Sequence, residues 1–232
     1  MIPCTPSEYK KCDTWNGTKQ YWNSSTDNSL ANITWSMTTP KSELTQVEKY
    51  GGFYVARYEA GLNTDRAHTS VAEFNEPIHD NETAKPQSKA SLVPWNLVSF
   101  NTTINKAEEM YNNNYVSSGL ITRTQWDVMI SKIANKASVS LTNSTWGNCY
   151  DTSISYRGPK AIFNSEKQEL STFSGNGGTT NANELLYTGA SSSCLKYGLY
   201  DVAGNLWEWC EGVYDSVVYT ARRRVLYPWF KY

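Results

Sequence analysis

Apolar residues recur at helical spacing in the segment after Phe100. The spacing predicts a helix that reaches about Asn112, with Asn101 or Thr102 as its N-cap. The apolar positions of this helix lie on one side: Ile104, Ala107, and Met110 or Tyr111. We expect that side to pack on a core, because the apolar stripe of a surface helix turns away from water.

A second helix is predicted in the segment that starts at Leu120. Thr122 and Gln125 have the spacing of a capping box, in which the hydroxyl caps a backbone amide and the glutamine reaches back. Apolar residues then repeat at helical spacing, and we predict that they face a core. These residues are Trp126, Met129 or Ile130, and Ile133.

Strand signals are shorter than the helical ones. Residues 51–61 are bounded by glycines and alternate, so that Phe53, Val55 and Arg57 share one face of a predicted strand. The opposite face carries Tyr54, Ala56 and Tyr58. Residues 93–100 are predicted to be a short extended piece.

The remaining pattern is weak. Residues 1–46 are rich in Ser, Thr and Asn, and we interpret them as a polar N-terminal arm with few regular elements. Residues 62–90 are predicted to be a loop. Residues 135–195 are mostly Ser, Thr, Asn and Gly with scattered aromatics, which is unusual inside a compact domain. The predicted organisation is the arm, 1–46, followed by one domain, 47–232.

Composition indicates a folded chain and excludes some partners. Apolar residues make up 39%, aromatic residues 13% and charged residues 19% of the 232 residues, which is typical of a folded domain. The net charge of −1 gives no electrostatic basis for binding nucleic acid. No run of about 18 apolar residues is present, so no membrane span is predicted. No signal peptide is visible at the N-terminus.

The cysteine pattern argues against a zinc knuckle, because no two cysteines have Cys-x-x-Cys spacing. Cys4 and Cys12 can bridge locally, and an odd count of five leaves one thiol free or paired between chains. The other cysteines are Cys149, Cys194 and Cys210. The redox compartment therefore stays open.

Residues 198–209 are the most informative stretch, with the sequence Gly-Leu-Tyr-Asp-Val-Ala-Gly-Asn-Leu-Trp-Glu-Trp. We interpret its end as a strand in which Trp207 and Trp209 bury large rings on either side of Glu208. A carboxylate held between two indoles needs a hydrogen-bond partner or a metal. The alternative is that Glu208 accepts backbone amides and binds no metal.

This stretch closely resembles the signature of the formylglycine-generating enzyme (sulfatase-modifying factor) family, Gly-Leu-Tyr-Asp-x-x-Gly-Asn-x-Trp-Glu-Trp. Earlier segments resemble other landmarks of that family in the same order: residues 53–59, 93–100 and 120–127. The resemblance spans about residues 47–212. It implies an α+β, C-type lectin-like fold with two helices, a small twisted mixed sheet and long structured loops.

The resemblance also implies a calcium site. In that family, the loop that leads into Trp-Glu-Trp binds calcium through side chains and backbone carbonyls. Carried over to this chain, Asp201 and Glu208 would supply carboxylates, and Gly204 and Leu206 would supply carbonyl oxygens. A hard cation that takes about six to eight oxygens suits such a loop, and it would neutralise a buried carboxylate.

The resemblance breaks at the catalytic cysteines. Enzymes of that family oxidise a substrate cysteine with two copper-holding cysteines that lie well after Trp-Glu-Trp, and thiolates are what Cu(I) prefers. Here Cys210 is the last cysteine, and none of the 22 residues after it is Cys. We therefore expect no copper and no catalysis, and we interpret Cys210 as a packed or free thiol. Residues 221–232 also depart from the family pattern, so we expect a shortened or frame-shifted C-terminus.

The expected function is ligand binding without catalysis, as in similar bacterial or phage display proteins, including the variable proteins of diversity-generating retroelements. By that analogy, ligand contacts are predicted at Tyr214, Tyr219, Tyr227 and Trp229. The partner would be a protein or a carbohydrate, and a cell-surface, phage-particle or extracellular location is favoured. One alternative is a copper-dependent formylglycine-generating oxidase or a related sulfatase-modifying enzyme. Another is a defective gene product.

Overall fold

The computed structural model describes residues 1–13, 41–63, 83–139, 145–149, 151–164, 166–167, 169–181, 183–206 and 208–210. The chain divides into two compact units. The first unit comprises Met1–Val55, Ile121–Ser131 and Cys210–Arg222. The second unit comprises Ala56–Leu120, Lys132–Trp209 and Arg223–Tyr232. The predicted arm and domain, 1–46 and 47–232, stay predictions.

The described residues form α-helices and short strands. The α-helices are α1 (Pro6–Asp13), α2 (Lys41–Tyr50), α3 (Phe100–Met110) and α4 (Arg123–Ala137). The strands are β1 (Ile2–Pro3), β2 (Gly52–Phe53), β3 (Ala60–Leu62), β4 (Gln87–Ser88), β5 (Val93–Pro94), β6 (Ser155–Arg157), β7 (Lys160–Asn164), β8 (Glu169–Leu170), β9 (Gly177–Thr179) and β10 (Glu184–Leu186). A 3₁₀ helix covers Ser192–Cys194. The α+β class is confirmed.

The strands pair in small antiparallel sheets. In the first unit β1 pairs with β2, with Ile2 opposite Phe53. In the second unit the strand orders are β4-β3-β5, β10-β7-β8 and β6-β9. The prediction of two helices and one mixed sheet is therefore wrong: the described residues contain four α-helices, and their strand ladders are all antiparallel. The short polar and glycine-rich interruptions in the sequence keep each strand to a few residues.

The first unit is organised around one carboxylate. Tyr9 is fully buried and packs its ring edge-on against Phe53, with the ring centroids 6.1 Å apart. The Tyr9 hydroxyl donates to Glu43 Oε2 on α2, and the Thr122 hydroxyl donates to the same oxygen at 3.1 Å. Burial and the bond to Glu43 raise the pKa of Tyr9, so the phenol stays a donor. Glu43 thus joins α1, α2 and the start of α4.

The capping box at the start of α4 is confirmed. The Gln125 N–H donates to the Thr122 hydroxyl oxygen at 3.3 Å, and the Thr122 N–H donates to Gln125 Oε1 at 3.0 Å. The predicted core positions of this helix are all buried: Trp126, Met129, Ile130 and Ile133. Local capping and apolar spacing were sufficient to place this helix.

The core of the second unit has two apolar clusters on either side of β10. One cluster contains Val93, Ala161, Phe163, Leu170, Phe173 and Leu185. The other contains Ile154, Tyr156, Leu186 and Cys194. Leu185 and Leu186 enter different clusters because successive side chains of a strand point to opposite faces. Both faces of β10 are therefore covered, and the sheet around it forms the centre of this unit.

The predicted strand over residues 51–61 is wrong in extent. The chain forms strands there only in β2 and β3. Between them, the Ser88 hydroxyl accepts from the Tyr58 N–H at 3.0 Å and donates to the Tyr58 carbonyl at 3.0 Å. A side chain therefore satisfies the backbone groups that a partner strand would otherwise bond.

Helix α3 begins two or three residues earlier than predicted. Its N-cap is Ser99, whose hydroxyl oxygen accepts from the Thr102 N–H at 3.3 Å. The predicted caps, Asn101 and Thr102, lie inside the helix instead, because Ser99 offers a hydroxyl at the preceding turn. The predicted inward residues Ile104, Ala107 and Met110 are only half-buried, and Tyr111 is exposed.

Three further stretches differ from their predictions. Residues 93–100 form a strand only in β5, and Leu97 then turns the chain with a φ of 50°. Residues 1–46 were interpreted as having few regular elements, yet they hold α1 and the start of α2. Residues 135–195 hold β6 to β10, whose alternations are too short to stand out in the sequence.

No helix among the described residues has the length and apolar character needed to span a membrane.

Replacing Tyr9 by Phe tests the role of Glu43 in the first unit. The variant keeps the ring packing but removes a hydrogen bond to a carboxylate, so we expect a loss of about 1–3 kcal/mol in the free energy of unfolding. Urea titration followed by circular dichroism measures it. Tyr54→Phe is the matched control: Tyr54 is 83% exposed, and its change should stay within about 0.5 kcal/mol. Equal losses in the two variants would contradict the assignment.

Candidate functional site

The loop that contains the Gly-Asn motif is a series of tight turns. Gly198, Asp201, Gly204 and Asn205 all have positive φ, at 83°, 57°, 78° and 63°. Gly, Asp and Asn are the residue types that tolerate this left-handed conformation best. Gly204 forms an isolated parallel bridge with Asn148, and the Asn205 N–H donates to the Asn148 carbonyl at 2.8 Å. The loop is therefore fixed along its backbone.

The Asn205 side chain is the centre of the site. It is 4% exposed, and its amide bonds four groups from three separate segments of the chain. Oδ1 accepts from Asn148 Nδ2 at 3.0 Å and from the Leu186 N–H at 2.9 Å. Nδ2 donates to Glu59 Oε2 at 2.8 Å and to the Leu186 carbonyl at 3.2 Å. Both ends of the amide are used, so only Asn satisfies this arrangement.

Asn148 extends the network to the edge of the sheet. Its Nδ2 also donates to the Glu184 carbonyl at 2.8 Å, next to the β10 residues that bond Asn205. The Glu184 carboxylate in turn pairs with Lys160 on β7. Asn148 is 6% exposed, and at low local dielectric such a satisfied network is rigid.

The structure brings a third carboxylate to the predicted calcium residues. Glu59 Oε2 accepts from Asn205, and the backbone N–H of Leu206 also donates to this carboxyl. Burial first, and then the charges of Asp201 and Glu208, raise the pKa of Glu59 well above its usual range. The other oxygen, Oε1, is buried and accepts no hydrogen bond from the described residues.

Asp201 and Glu208 are themselves poorly compensated. Burial raises the pKa of Asp201 to about 6, although a bond from the Gly189 N–H at 2.5 Å opposes the shift. Burial, and then the charge of Asp201, raise the pKa of Glu208 to about 8. Asp201 is 4% exposed, whereas Glu208 is partly accessible. No cationic side chain among the described residues lowers the pKa of either carboxyl. The site therefore has an excess of negative charge that protons or a cation would offset.

The calcium ion predicted at Asp201, Gly204, Leu206 and Glu208 stays a prediction. The unpartnered Glu59 oxygen and the clustered carboxyls are the features that favour a cation. Within the described part of the chain, however, no three Asp, Glu, His or Cys side chains converge closely enough to hold one metal ion. The predicted calcium ligands include only two such side chains, and the other two ligands are backbone carbonyls. Calcium commonly binds backbone carbonyl oxygens together with carboxylates.

The Trp-Glu-Trp segment is not the strand that was predicted. Glu208 takes part in an isolated bridge, and Trp209 has no regular structure. The Trp209 indole N–H donates to the Val98 carbonyl at 3.2 Å, and its ring lies 5.5 Å from that of Phe100. Trp209 is half-buried because it covers the start of α3. The placement of Trp207 lies outside the described residues.

The described cysteines are packed thiols. Cys149, Cys194 and Cys210 are all at most 7% exposed. Burial, and then the charge of Asp151, raise the pKa of Cys149 to about 11. Burial also raises the pKa of Cys194, and the Asp201 and Glu59 charges add to the shift. A thiol whose pKa is raised forms little thiolate near neutral pH, so Cys149 and Cys194 are poor nucleophiles. The predicted packing of Cys210 agrees with its burial.

The predicted ligand-contact residues, Tyr214, Tyr219, Tyr227 and Trp229, lie outside the described residues. Within the described part, the turn between α3 and α4 exposes aromatic surface. Tyr115 is 95% exposed, and Val116 is 54% exposed. Their backbone N–H groups both bond Asn113 Oδ1, at 2.8 and 3.0 Å, so the turn is ordered by its own side chain.

Two members of the site outside the signature stretch, Glu59 and Asn148, were not predicted, and Asn205 within that stretch was not among the predicted site residues. Glu59 carries a usable signal, because an acid between apolar neighbours such as Tyr58 and Ala60 must find a partner if it is buried. The sequence gives no signal that Asn148 belongs to the site, because this residue lies in an Asn- and Ser-rich stretch that resembles an ordinary loop. Its role depends on contacts with residues far away in the chain.

Comparison with known proteins gives no match: no family model, no curated protein and no solved structure is significantly similar to the chain. The family resemblance therefore stays a prediction that rests on the sequence landmarks.

Replacing Asn205 by Asp tests the amide as the centre of the network. The change removes both donated bonds and places a carboxylate beside Glu59 Oε2, so we expect a loss of at least about 3 kcal/mol in the free energy of unfolding. Asn113→Asp is the matched control, because Asn113 is exposed and its Oδ1 acceptor role survives the change. Its effect should stay within about 0.5 kcal/mol. A mild effect of Asn205→Asp in urea titration would refute the assignment.

Replacing Gly204 by Ala tests how closely the loop approaches residues 148–149. A Cβ there would collide with the Asn148 carbonyl oxygen and lie 2.9 Å from the Cys149 sulfur. The control is Gly198→Ala, which has a similar φ of 83° but no atom within 4 Å of an added Cβ. We expect about 1–2 kcal/mol for Gly198→Ala from backbone strain. Gly204→Ala should cost at least about 2 kcal/mol more in thermal or urea unfolding, and similar costs would exclude the close approach.

Proposed function

We propose that this protein binds a protein or carbohydrate ligand without catalysis, on a C-type lectin-like scaffold that a calcium ion stabilises. The scaffold would be that of the formylglycine-generating enzyme family, as in bacterial or phage display proteins and retroelement-diversified variable proteins. A cell-surface, phage-particle or extracellular setting belongs to this proposal.

The observation that carries the proposal is the inward use of the signature residues. Both ends of the Asn205 amide form hydrogen bonds, with Asn148, Glu59 and the backbone of Leu186. Asp201 is likewise buried and bonded to the backbone of Gly189. Side chains committed in this way position loops and cannot also serve a reacting substrate. The signature therefore supports a frame for binding loops.

The chemistry of the thiols favours binding over the enzymatic alternative. Copper oxidase chemistry of the family requires a pair of reactive thiolates. Cys149 and Cys194 are buried, and desolvation by burial is the main cause that raises the pKa of each thiol. Neither thiol is therefore suited to hold copper as a reactive thiolate.

Calcium suits the loop as a structural ion. Asp201 and Glu208 would supply carboxylates, and Gly204 and Leu206 would supply carbonyls. When bound, the ion neutralises buried negative charge and holds the loop in one conformation. It would stabilise the frame from which ligand-binding loops project, and it would take no part in a reaction.

The ligand contacts are proposed at the aromatic residues near the C-terminus, Tyr214, Tyr219, Tyr227 and Trp229. Tyr and Trp supply large contact areas at a low cost in conformational entropy, and Ser and Asn add adaptable hydrogen bonds. The exposed turn at Tyr115 has the same composition of Tyr, Asn and Ser around an ordered backbone. It offers a second contact surface of the same chemical type.

The test is a binding assay with matched tyrosine variants. The labelled protein is applied to arrays of glycans and purified surface proteins in calcium buffer, and Tyr219→Ala and Trp229→Ala are compared on any probe that binds. We expect each variant to weaken binding at least about tenfold, as for aromatic anchors of an interface. Tyr54→Ala, at an exposed position of the first unit, should leave affinity unchanged.

Two results would count against the proposal. One is conversion of a cysteine-containing peptide to formylglycine by the purified protein with copper and oxygen, detected by mass spectrometry. The other is equal binding by the wild type and both aromatic variants at unchanged melting temperature, which would place the ligand elsewhere.

A further inference from the structure

Glu59 has a carboxylate oxygen that nothing in the described structure explains. Oε1 is sealed from solvent and accepts no hydrogen bond, whereas Oε2 accepts from Asn205 Nδ2 at 2.8 Å. An unpartnered acceptor on a buried carboxylate costs free energy comparable to a lost charged hydrogen bond. Such an atom points to a bound water or ion.

The position of Glu59 links it to the proposed calcium loop. Asn205 and Leu206, whose N–H groups hold its carboxyl, lie between the proposed ligands Gly204 and Glu208. The charges of Asp201 and Glu208 both act on Glu59, and they add to burial in raising its pKa. Three carboxyls from two distant segments of the chain thus surround one region of the second unit.

The proposed protein ligands do not fill the coordination shell of calcium, so some positions are left for water. Calcium takes about six to eight oxygens, and the proposed set supplies four protein groups, so about two to four positions would hold water. Glu59 does not complete the set directly, because no three acidic, His or Cys side chains among the described residues converge to hold one ion. A water on the ion is the group that can reach Glu59 from that shell.

We propose that Glu59 is a positioning residue of the calcium site, whose Oε1 accepts a hydrogen bond from a water bound to the ion. The inference rests on the proposed calcium site at Asp201, Gly204, Leu206 and Glu208. Through Asn205 and Leu206, Glu59 also fixes the backbone that presents the carbonyl ligands. It adds negative charge near the cation from the position just before β3, over a hundred residues ahead of the loop. Partners of this kind typically change metal affinity about ten- to a hundredfold.

The experiment is calcium titration of the full chain by isothermal calorimetry, with Glu59→Gln compared with wild type. The amide keeps an acceptor for Asn205 but removes the charge, so we expect calcium affinity to fall at least about tenfold. Glu184→Gln is the matched control. Glu184 is also buried with one unpartnered oxygen, but its charge is paired with Lys160. Calcium affinity of that variant should stay within about threefold of wild type.

Melting temperatures separate the cation role from a purely structural one. For Glu59→Gln we expect a melting temperature in EDTA close to that of wild type, with a reduced increase on adding calcium. A fall of equal size with and without calcium, at unchanged calcium affinity, would overturn the inference. If wild type itself binds no calcium, the calcium part of the proposed function fails as well. Unchanged affinity of Glu59→Gln beside a wild type that binds calcium would overturn only the role of Glu59.

Terbium luminescence tests the same inference in the unaltered protein, so it holds even if Glu59→Gln does not fold. Terbium replaces calcium, and the difference in lifetime between H₂O and D₂O counts the waters on the ion. We expect at least about two. A bound terbium ion that carries no water would exclude the proposed link to Glu59.

Discussion

The amide of Asn205 is the interaction on which the second unit depends. A buried amide with both ends bonded links segments that are remote in sequence: Glu59 before β3, Asn148, and Leu186 on β10. Each of these bonds is made away from water, where a missing partner would cost more than the bond contributes. The network therefore fixes the turn at residues 204–205 relative to the sheet.

Negative charge is the second constraint. Glu59, Asp201 and Glu208 share one interior region, and hydrogen bonds from the backbone of Gly189 and Leu206 offset only part of their burial. A fold that keeps such an arrangement needs protons or a cation there. Under the proposed function, calcium would meet that need with oxygen ligands of the loop, and the unpartnered oxygen of Glu59 would accept a hydrogen bond from a water on the ion. Burial first, and then the charges of Asp201 and Glu59, oppose the ionisation of Cys194, so this thiol is unsuited to nucleophilic chemistry.

The first unit is stabilised by a different interaction. One carboxylate, that of Glu43, receives the hydroxyls of Tyr9 and Thr122, and apolar side chains of α4 complete the packing. Its chemistry is that of helix packing, which is why ordinary capping and periodicity rules describe it well.

The sequence by itself determined the features that depend on neighbours in the chain. The capping box of Thr122 and Gln125 and the buried stripe from Trp126 to Ile133 follow from spacing alone, because a helix satisfies its own backbone. The α+β class was implied by the family resemblance, which also indicated Asp201, and Glu208 was identified from its two tryptophan neighbours as an acid that needed a partner. Only the tertiary structure decided that Glu59 and Asn148 join them. Those contacts connect residues up to 146 positions apart, and no local pattern encodes them. The prediction of a strand over residues 51–61 was wrong for the same reason. The alternation of residues assigned Tyr58 to a sheet, but its backbone bonds the side chain of Ser88, which is distant in the sequence.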